Sequence, residues 1–226
     1  MGEWGSFLLS VACTAALSYL LGSCNMAIIV SRLFRVPDIR EFGSGSAGMT
    51  NMLRTYGKKL AAITFVGDFL KGSAAVFLAR VIFSDPVFGV DLGYIAGIFV
   101  VLGHIFPIYF GFHGGKGVAT AFGAMLFLNW MVFGTLLIGL VPIIFIIRIV
   151  SAISLTGSAI YPVLTFLVLM LQGADFLTVV LPDTVSALII MGLTFYAHRE
   201  NIARFRHGKE NFFPVPPKTN KKEEKP

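Results

Sequence analysis

An all-α membrane bundle of about seven transmembrane helices is the fold class this sequence predicts. Three observations predict it. Hydrophobic residues make up 56% of the 226 residues and charged ones only 13%, where a soluble domain carries roughly 25% charged. The apolar residues fall into runs near the roughly 20 residues that a bilayer requires. Basic and acidic residues sort onto alternate connections between those runs.

The runs, in order, begin with Gly5 to Phe34, interrupted by Gly22-Ser23-Cys24-Asn25. Leu60 to Phe83 and Leu92 to Phe110 follow. After His113-Gly114-Gly115, a shorter run ends at Leu128. Its length suits a re-entrant or locally broken helix, tolerated at membrane depth only where protein or a wet cavity surrounds it. Trp130 to Ile147, Ile153 to Leu171 and Val185 to Ala197 complete seven, the last again short. The start, Met1-Gly2-Glu3-Trp4, is acidic where a cleavable leader would be basic, so the first run is expected to stay.

Charge supports the count independently. Arg35, Arg40, Arg54, Lys58, Lys59, Lys116, Arg148, Arg199, Arg204, Arg206 and Lys209 lie on one set of connections. Glu3, Asp85, Asp91, Asp175 and Asp183 lie on the other, where Arg80 is placed to snorkel. The positive-inside rule puts the N-terminus outside and the C-terminus in the cytoplasm. The net charge of +6 therefore reads as orientation rather than nucleic-acid binding. Residues 1–212 read as one membrane domain and 213–226 as a polar, Pro/Lys-rich tail near anionic lipid heads. Cys13 and Cys24 are too far apart on one helix to bridge and read as packing. No metal-ligand cluster and no cofactor motif is recognised.

Four segments are unusual for a plain bundle. The first, Asp38 to Arg54, packs Gly43, Ser44, Gly45, Ser46 and Gly48 ahead of Thr50, Asn51 and Arg54. Small residues let amides converge on an anion, and Arg54 lies one helical turn beyond Asn51 and Thr50. The second, Gly103 to Thr120, sets Gly114, Gly115 and Gly117 around Lys116 at a helix start, where amides and an ammonium favour an anion. It is no Walker A loop, because Phe110 and Gly117 stand where Gly and Ser or Thr are needed. The third, His198 to Glu210, places a His and Asn201 beside cations. If the preceding helix continues, His198 and Asn201 share a face. The fourth is Asp68 and Lys71 within a span. Ionisable residues there are functional candidates, though at i,i+3 the two can simply pair. His104 reads as a polar packing residue. No His is followed five positions later by Asp, so the His–Asp pair of many acyl-CoA-dependent acyltransferases is missing.

Together these segments resemble the bacterial acyl-phosphate:glycerol-3-phosphate acyltransferase family of membrane phospholipid synthesis. The resemblance covers most of the chain: Gly22-Ser23, Asp38-Ile39-Arg40, Gly43 to Arg54, Asp68 to Gly72, Gly103-His104 with Pro107, Gly114 to Thr120, and His198 to Ile202. It implies a seven-span bacterial cell-membrane enzyme with its active site at the cytoplasmic face. That enzyme moves an acyl group from acyl phosphate to the 1-hydroxyl of glycerol 3-phosphate, giving lysophosphatidic acid and phosphate without acyl-CoA, acyl-carrier protein or cofactor. The family's functional Ser and Arg correspond to Ser44 and Arg54, its glycine-loop Lys to Lys116, and its His and Asn to His198 and Asn201. A mainly structural Glu corresponds to Glu210. Substrate contacts are expected from Gly43, Gly45, Ser46, Thr50, Asn51, Gly114, Gly115, Gly117, Thr120, Asp68, Lys71 and Glu210. Ser46 and Met49 depart from the usual Asn and Ala, and His113 from a frequent Lys. The expected partners are the two substrates and membrane lipid, with a monomer as the working assignment and the oligomeric state left open. A carrier for a phosphorylated metabolite or anionic lipid is the alternative. Transporters often show internal repeats; none is evident here, and the glycine-rich loops cluster on one side.

Overall fold

The computed structural model describes residues 2–83, 90–147 and 149–210. Asp85, Arg148 and the expected polar tail lie outside the described residues. Ten α-helices are present among those described: α1 (Glu3–Ser23), α2 (Met26–Leu33), α3 (Met49–Tyr56), α4 (Lys58–Ile82), α5 (Leu92–Ile105), α6 (Val118–Leu128), α7 (Trp130–Ile147), α8 (Val150–Leu171), α9 (Leu181–Ala197) and α10 (Arg199–Arg206). Five segments are long and apolar enough to cross a membrane: Glu3–Ser23, Lys58–Ile82, Leu92–Phe110, Val150–Leu171 and Phe176–Ala197. α6 and α7 are shorter apolar helices.

Helix ends follow local chemistry. α1 stops at Ser23, and Asn25 caps α2 by accepting from the Ile28 amide at 3.2 Å. α5 starts at Asp91, whose carboxylate accepts from the Gly93 amide, and ends just ahead of Pro107. Asn129 separates α6 from α7 and caps the latter through the amides of Met131 and Val132. Asp175 caps a single π-type turn, Phe176–Val180, that runs into α9. The last span is therefore longer than the run from Val185 that hydropathy suggests. Arg80 finds partners at this end of the bundle. It pairs with Asp91 and donates to the Leu128 carbonyl at the end of α6.

Between helices in lipid, close backbone approach replaces the hydrophobic drive. α1 turns Thr14, Ser18 and Gly22 inward at four-residue spacing and packs on α5. A Cβ on Gly22 would lie 2.2 Å from the Val100 carbonyl oxygen, and one on Gly103 would lie 2.2 Å from that of Tyr19. α4 and α6 repeat the device, with Gly72 against the Thr120 carbonyl at 2.0 Å and Gly123 against the Phe69 carbonyl at 1.9 Å. Backbone cannot yield as a side-chain tip can. Gly123→Val is therefore expected to cost about 1–3 kcal/mol or more from overpacking, read as a fall of several degrees in the melting temperature in detergent.

Candidate active site

Three loops gather at one end of the bundle. The first runs from Asp38 to the start of α3. Asp38 accepts from the Arg40 amide and pairs with its guanidinium at 2.8 Å. Arg40 also donates to the carbonyl of Phe110 at 2.8 Å, joining this loop to the next. Asn51 holds the Gly-Ser turn from beneath. Its Oδ1 accepts from the Ser44 amide at 3.1 Å, while its Nδ2 donates to the carbonyls of Ile39 and Phe42. Gly43 has φ +61°, and a Cβ there would fall 2.2 Å from Asn51 Oδ1, so both conformation and space demand glycine.

The second loop, Gly114 to Gly117, is stitched to what surrounds it. The Gly114 and Gly115 amides donate to the carbonyls of Ile105 and His104, and the Gly114 carbonyl accepts from the Ala47 amide, each at 3.2 Å. Those two glycine amides are thus engaged rather than turned to an anion. The amides free by helix geometry are those of the first turn of α6. Gly117, at φ +78°, starts that turn.

The third loop begins where α9 ends. The helix does not run on through His198; the chain bends there and restarts as α10. His198 Nδ1 lies 2.8 Å from the Thr194 carbonyl. A carbonyl only accepts, so Nδ1 carries the proton and Nε2 keeps its lone pair. Glu210 closes the loop back on itself. Its Oε1 accepts from Ser151 Oγ at 2.9 Å and Asn201 Nδ2 at 2.8 Å, and its Oε2 from Arg204 Nε at 3.0 Å.

A cavity of about 310 Å³ opens between these loops. Its polar end is lined by Ser44, Ser46, Thr50, Asn51, Arg54, Asp68, His104, Lys116, Ser151, His198, Asn201 and Glu210. Its apolar arm is lined by Phe65 and Phe122, by Leu137, Leu140, Val141 and Ile144 of α7, and by Ile153 and Gly157 of α8. Gly117 also lines it, whereas Gly43, Gly45, Gly114, Gly115, Lys71 and Thr120 lie behind the wall. Lys71 and Asp68 pair at 2.7 Å in the interior. Thr120 is buried beside them, its hydroxyl 3.2 Å from His104 Nδ1. Residues the sequence reading missed are His104, Ser151 and Arg204, together with Asn25, which supports the first loop by donating to the Ala47 carbonyl at 3.1 Å. The sequence signals for His104 were its place three residues before a proline at a helix end and its inclusion in the family resemblance, though it read as packing.

The polar end is electropositive. Neither Arg54 nor Lys116 forms an ion pair among the described residues. Burial lowers the Lys116 ammonium to about 8; the charges of Arg204 and Arg54 add to this, against Glu210. Burial likewise draws the Arg54 guanidinium below its ordinary value. Burial, then the Lys116 charge, lowers His198 to about 4, so it is neutral near pH 7. Burial works against ionisation of Glu210, but hydrogen bonds from Asn201, Ser151 and Arg204 hold its carboxyl below the usual range. Two buried atoms at the cavity have no partner among the described residues: Arg54 Nε, a donor, and Asn201 Oδ1, an acceptor. Unpaired buried polar groups of this kind are costly for stability alone.

Fold and cavity together define a helical integral membrane protein whose chamber, lined by Arg54 and Lys116, opens into an apolar arm, a shape that suits an amphiphilic phosphate. The comparisons narrow it. A family model described as glycerol-3-phosphate acyltransferase matches residues 12–208, and the chain belongs to that family. It is 38% identical over 206 residues to the glycerol-3-phosphate acyltransferase of Coxiella burnetii (strain RSA 493 / Nine Mile phase I), covering 91% of this chain and 97% of that one. It is 40% identical over 200 residues to the Cupriavidus metallidurans enzyme of the same name, covering 87% and 93%. The crystal structure of PlsY (YgiH), an integral membrane glycerol 3-phosphate acyltransferase, superposes in its glycerol 3-phosphate form with a TM-score of 0.77 at 34% identity, over 90% of this chain and 96% of that one. Its lysophosphatidic acid form gives 0.76 at 33% identity, over 92% and 97%.

Proposed function

We propose that this protein transfers a fatty acyl group from acyl phosphate to the 1-hydroxyl of glycerol 3-phosphate, releasing lysophosphatidic acid and inorganic phosphate. The observation that carries the reading is one cavity in which unpaired Arg54 and Lys116 meet neutral His198 and the free Asn201 oxygen, with an apolar arm leading away. Both substrates are phosphates, and one carries a tail for that arm. The PlsY forms with glycerol 3-phosphate and lysophosphatidic acid support the same assignment.

Arg54 and Lys116 bind phosphate oxygens, the first as a fork and the second as a point charge. His198 Nε2 and Asn201 Oδ1 are acceptors for the glycerol hydroxyl. Ser44 lies on the wall beside them and donates to the acyl phosphate. The hydroxyl oxygen attacks the acyl carbon, the acyl–O–phosphate bond breaks, and phosphate leaves with the electron pair. The hydroxyl proton passes to a phosphate oxygen or to His198. Phosphate is a good leaving group, so positioning and charge stabilisation carry the rate, with no acyl-enzyme. Asn51, both of whose amide donors are engaged by backbone, shapes the loop rather than gripping substrate.

The topology belongs to the same proposal. Residues 1–212 form one domain in a bacterial cell membrane, with α6 and α7 as short spans that bring the count to seven. The N-terminus lies outside, and the site and the 213–226 tail are cytoplasmic.

The test is phosphate release from palmitoyl phosphate by the purified protein, with and without glycerol 3-phosphate, and with palmitoyl-CoA as the parallel donor. Release that requires glycerol 3-phosphate and fails with the CoA donor is expected. Binding of glycerol 3-phosphate with no release under any condition would return the assignment to a carrier. A covalent acyl adduct trapped on Ser44 would overturn the direct transfer.

A pH dependence follows. The free enzyme loses the Lys116 charge as pH rises through about 8. Glycerol 3-phosphate kcat/KM is therefore expected to fall above pH 8, and Lys116→Arg to move that limb upward. His198, neutral above about 4, contributes no limb between pH 5 and 9.

A further inference from the structure

We infer that His104 is a further hydrogen-bond donor of the site, presenting Nε2–H to a substrate phosphate oxygen where the two glycine loops meet, with Lys71 setting that tautomer. The inference rests on the acyl-transfer reading above.

Lys71 supplies the logic. Its ammonium lies 2.7 Å from Asp68 Oδ1, 3.0 Å from the Cys24 carbonyl and 3.0 Å from His104 Nδ1. An ammonium has three donors and no acceptor, so each of the three contacts must accept. Nδ1 is therefore the unprotonated nitrogen. Thr120 Oγ1, 3.2 Å from the same atom, is a second group able to donate to it. Asp68 Oδ1 is farther from Nδ1, at 3.4 Å, and already accepts from Lys71. In a neutral ring the proton then sits on Nε2.

Nε2 faces the loops. A Cβ on Gly115 would come within 2.3 Å of it and within 2.5 Å of the Ala47 carbonyl oxygen. The missing side chain at 115 is what leaves this nitrogen uncovered. The ring's hydrogen bonds among the described residues all fall on Nδ1. The ring nevertheless lines the cavity that Lys116, the next residue after Gly115, shares with Arg54. A donor unspent within the protein, beside two cations, suits an oxygen of the anion those cations hold. Lys71, which does not line the cavity, then acts as a positioning residue: paired with Asp68, it fixes the tautomer from inside the span.

Two measurements test this on the full-length protein in detergent. Nitrogen-15 NMR of histidine-labelled enzyme, with His104→Leu for assignment, reads the tautomer directly. An Nε2–H resonance is expected in the resting enzyme. Shifts on adding inorganic phosphate and glycerol 3-phosphate would place the acceptor on glycerol 3-phosphate. A response to phosphate and a non-hydrolysable acyl phosphonate, but not to glycerol 3-phosphate, would place it on the donor. An Nδ1–H tautomer, or an Nε2 signal indifferent to all three, would overturn the inference. In kinetics, His104→Leu is expected to lower kcat/KM about 10- to 100-fold, with the KM change on the substrate identified by NMR. His104→Gln, which keeps a donor near Nε2, is expected to recover most of that. Equal losses in the two variants, in proportion to melting temperature, would assign the residue to packing alone. Wild-type protein lacking glycerol 3-phosphate-dependent release would instead defeat the acyl-transfer reading itself.

Discussion

Lys116→Ala is expected to lower glycerol 3-phosphate-dependent phosphate release by on the order of 10³-fold, at the upper end of what removing one preorganised donor costs. Its melting temperature is expected to stay unchanged or rise. The two expectations have one cause. Lys116 has no ion pair among the described residues, and burial, with the charges of Arg204 and Arg54 adding to it, already depresses its ionisation to about 8. In the resting protein its charge is therefore a burden, desolvated and repelled by its neighbours. A substrate phosphate is the counter-ion that reverses the sign. Alanine removes repulsion from the empty site and attraction from the filled one, so stability and activity move in opposite directions. Lys116→Arg keeps the charge but not the point geometry, and partial activity is expected. Scanning calorimetry and the phosphate-release assay on one preparation separate the two effects. A mutant that loses melting temperature and activity together would mark Lys116 as a structural residue.

Much of this was legible in the sequence because membrane physics leaves few options. Runs of about 20 apolar residues have the length of a spanning helix, and glycine-rich loops carrying Arg or Lys have the chemistry of an anion site. The three loops that composition singled out are the three that line one cavity. What the sequence hid is partnership at long separation. Hydropathy started the last span at Val185 because Asp175, Pro182 and Asp183 depress the average, yet Asp175 caps the turn before α9 and Asp183 accepts from the Tyr94 hydroxyl. For Arg80, nothing local revealed its pairing with Asp91 and the end of α6. Asn51 read as a ligand by residue type, whereas its amide is engaged by loop backbone. His104 read as packing because its neighbours, Lys71 and Gly115, are 33 residues before it on α4 and in the following loop respectively. In each case the residue type was right for several roles, and only the fold selects one.

Gly115→Ala is the second variant expected to have a large effect: activity lower by roughly 10²-fold or more, with a melting temperature several degrees down. Its backbone is not in the left-handed region, so alanine is conformationally allowed and the effect is steric alone. A Cβ would need space 2.3 Å from His104 Nε2 and 2.5 Å from the Ala47 oxygen. Neither can retreat cheaply. The ring is held by Lys71 and Thr120, and Ala47 by Asn25 through its carbonyl and by Gly114 through its amide. The methyl group must push the first loop from the second, and Ser44 and Lys116 sit on opposite sides of that seam. Overpacking of this kind costs about 1–3 kcal/mol, while a displacement near 1 Å is enough to lose about 10²-fold in rate. Gly134→Ala in α7 is the control, because nothing lies within 4 Å of a Cβ there and alanine is the better helix former by about 1 kcal/mol. It should leave activity unchanged and hold or raise the melting temperature. If Gly115→Ala behaved like the control, the loops would not be in the contact described, and the placement of Lys116 opposite Ser44 would fail with them.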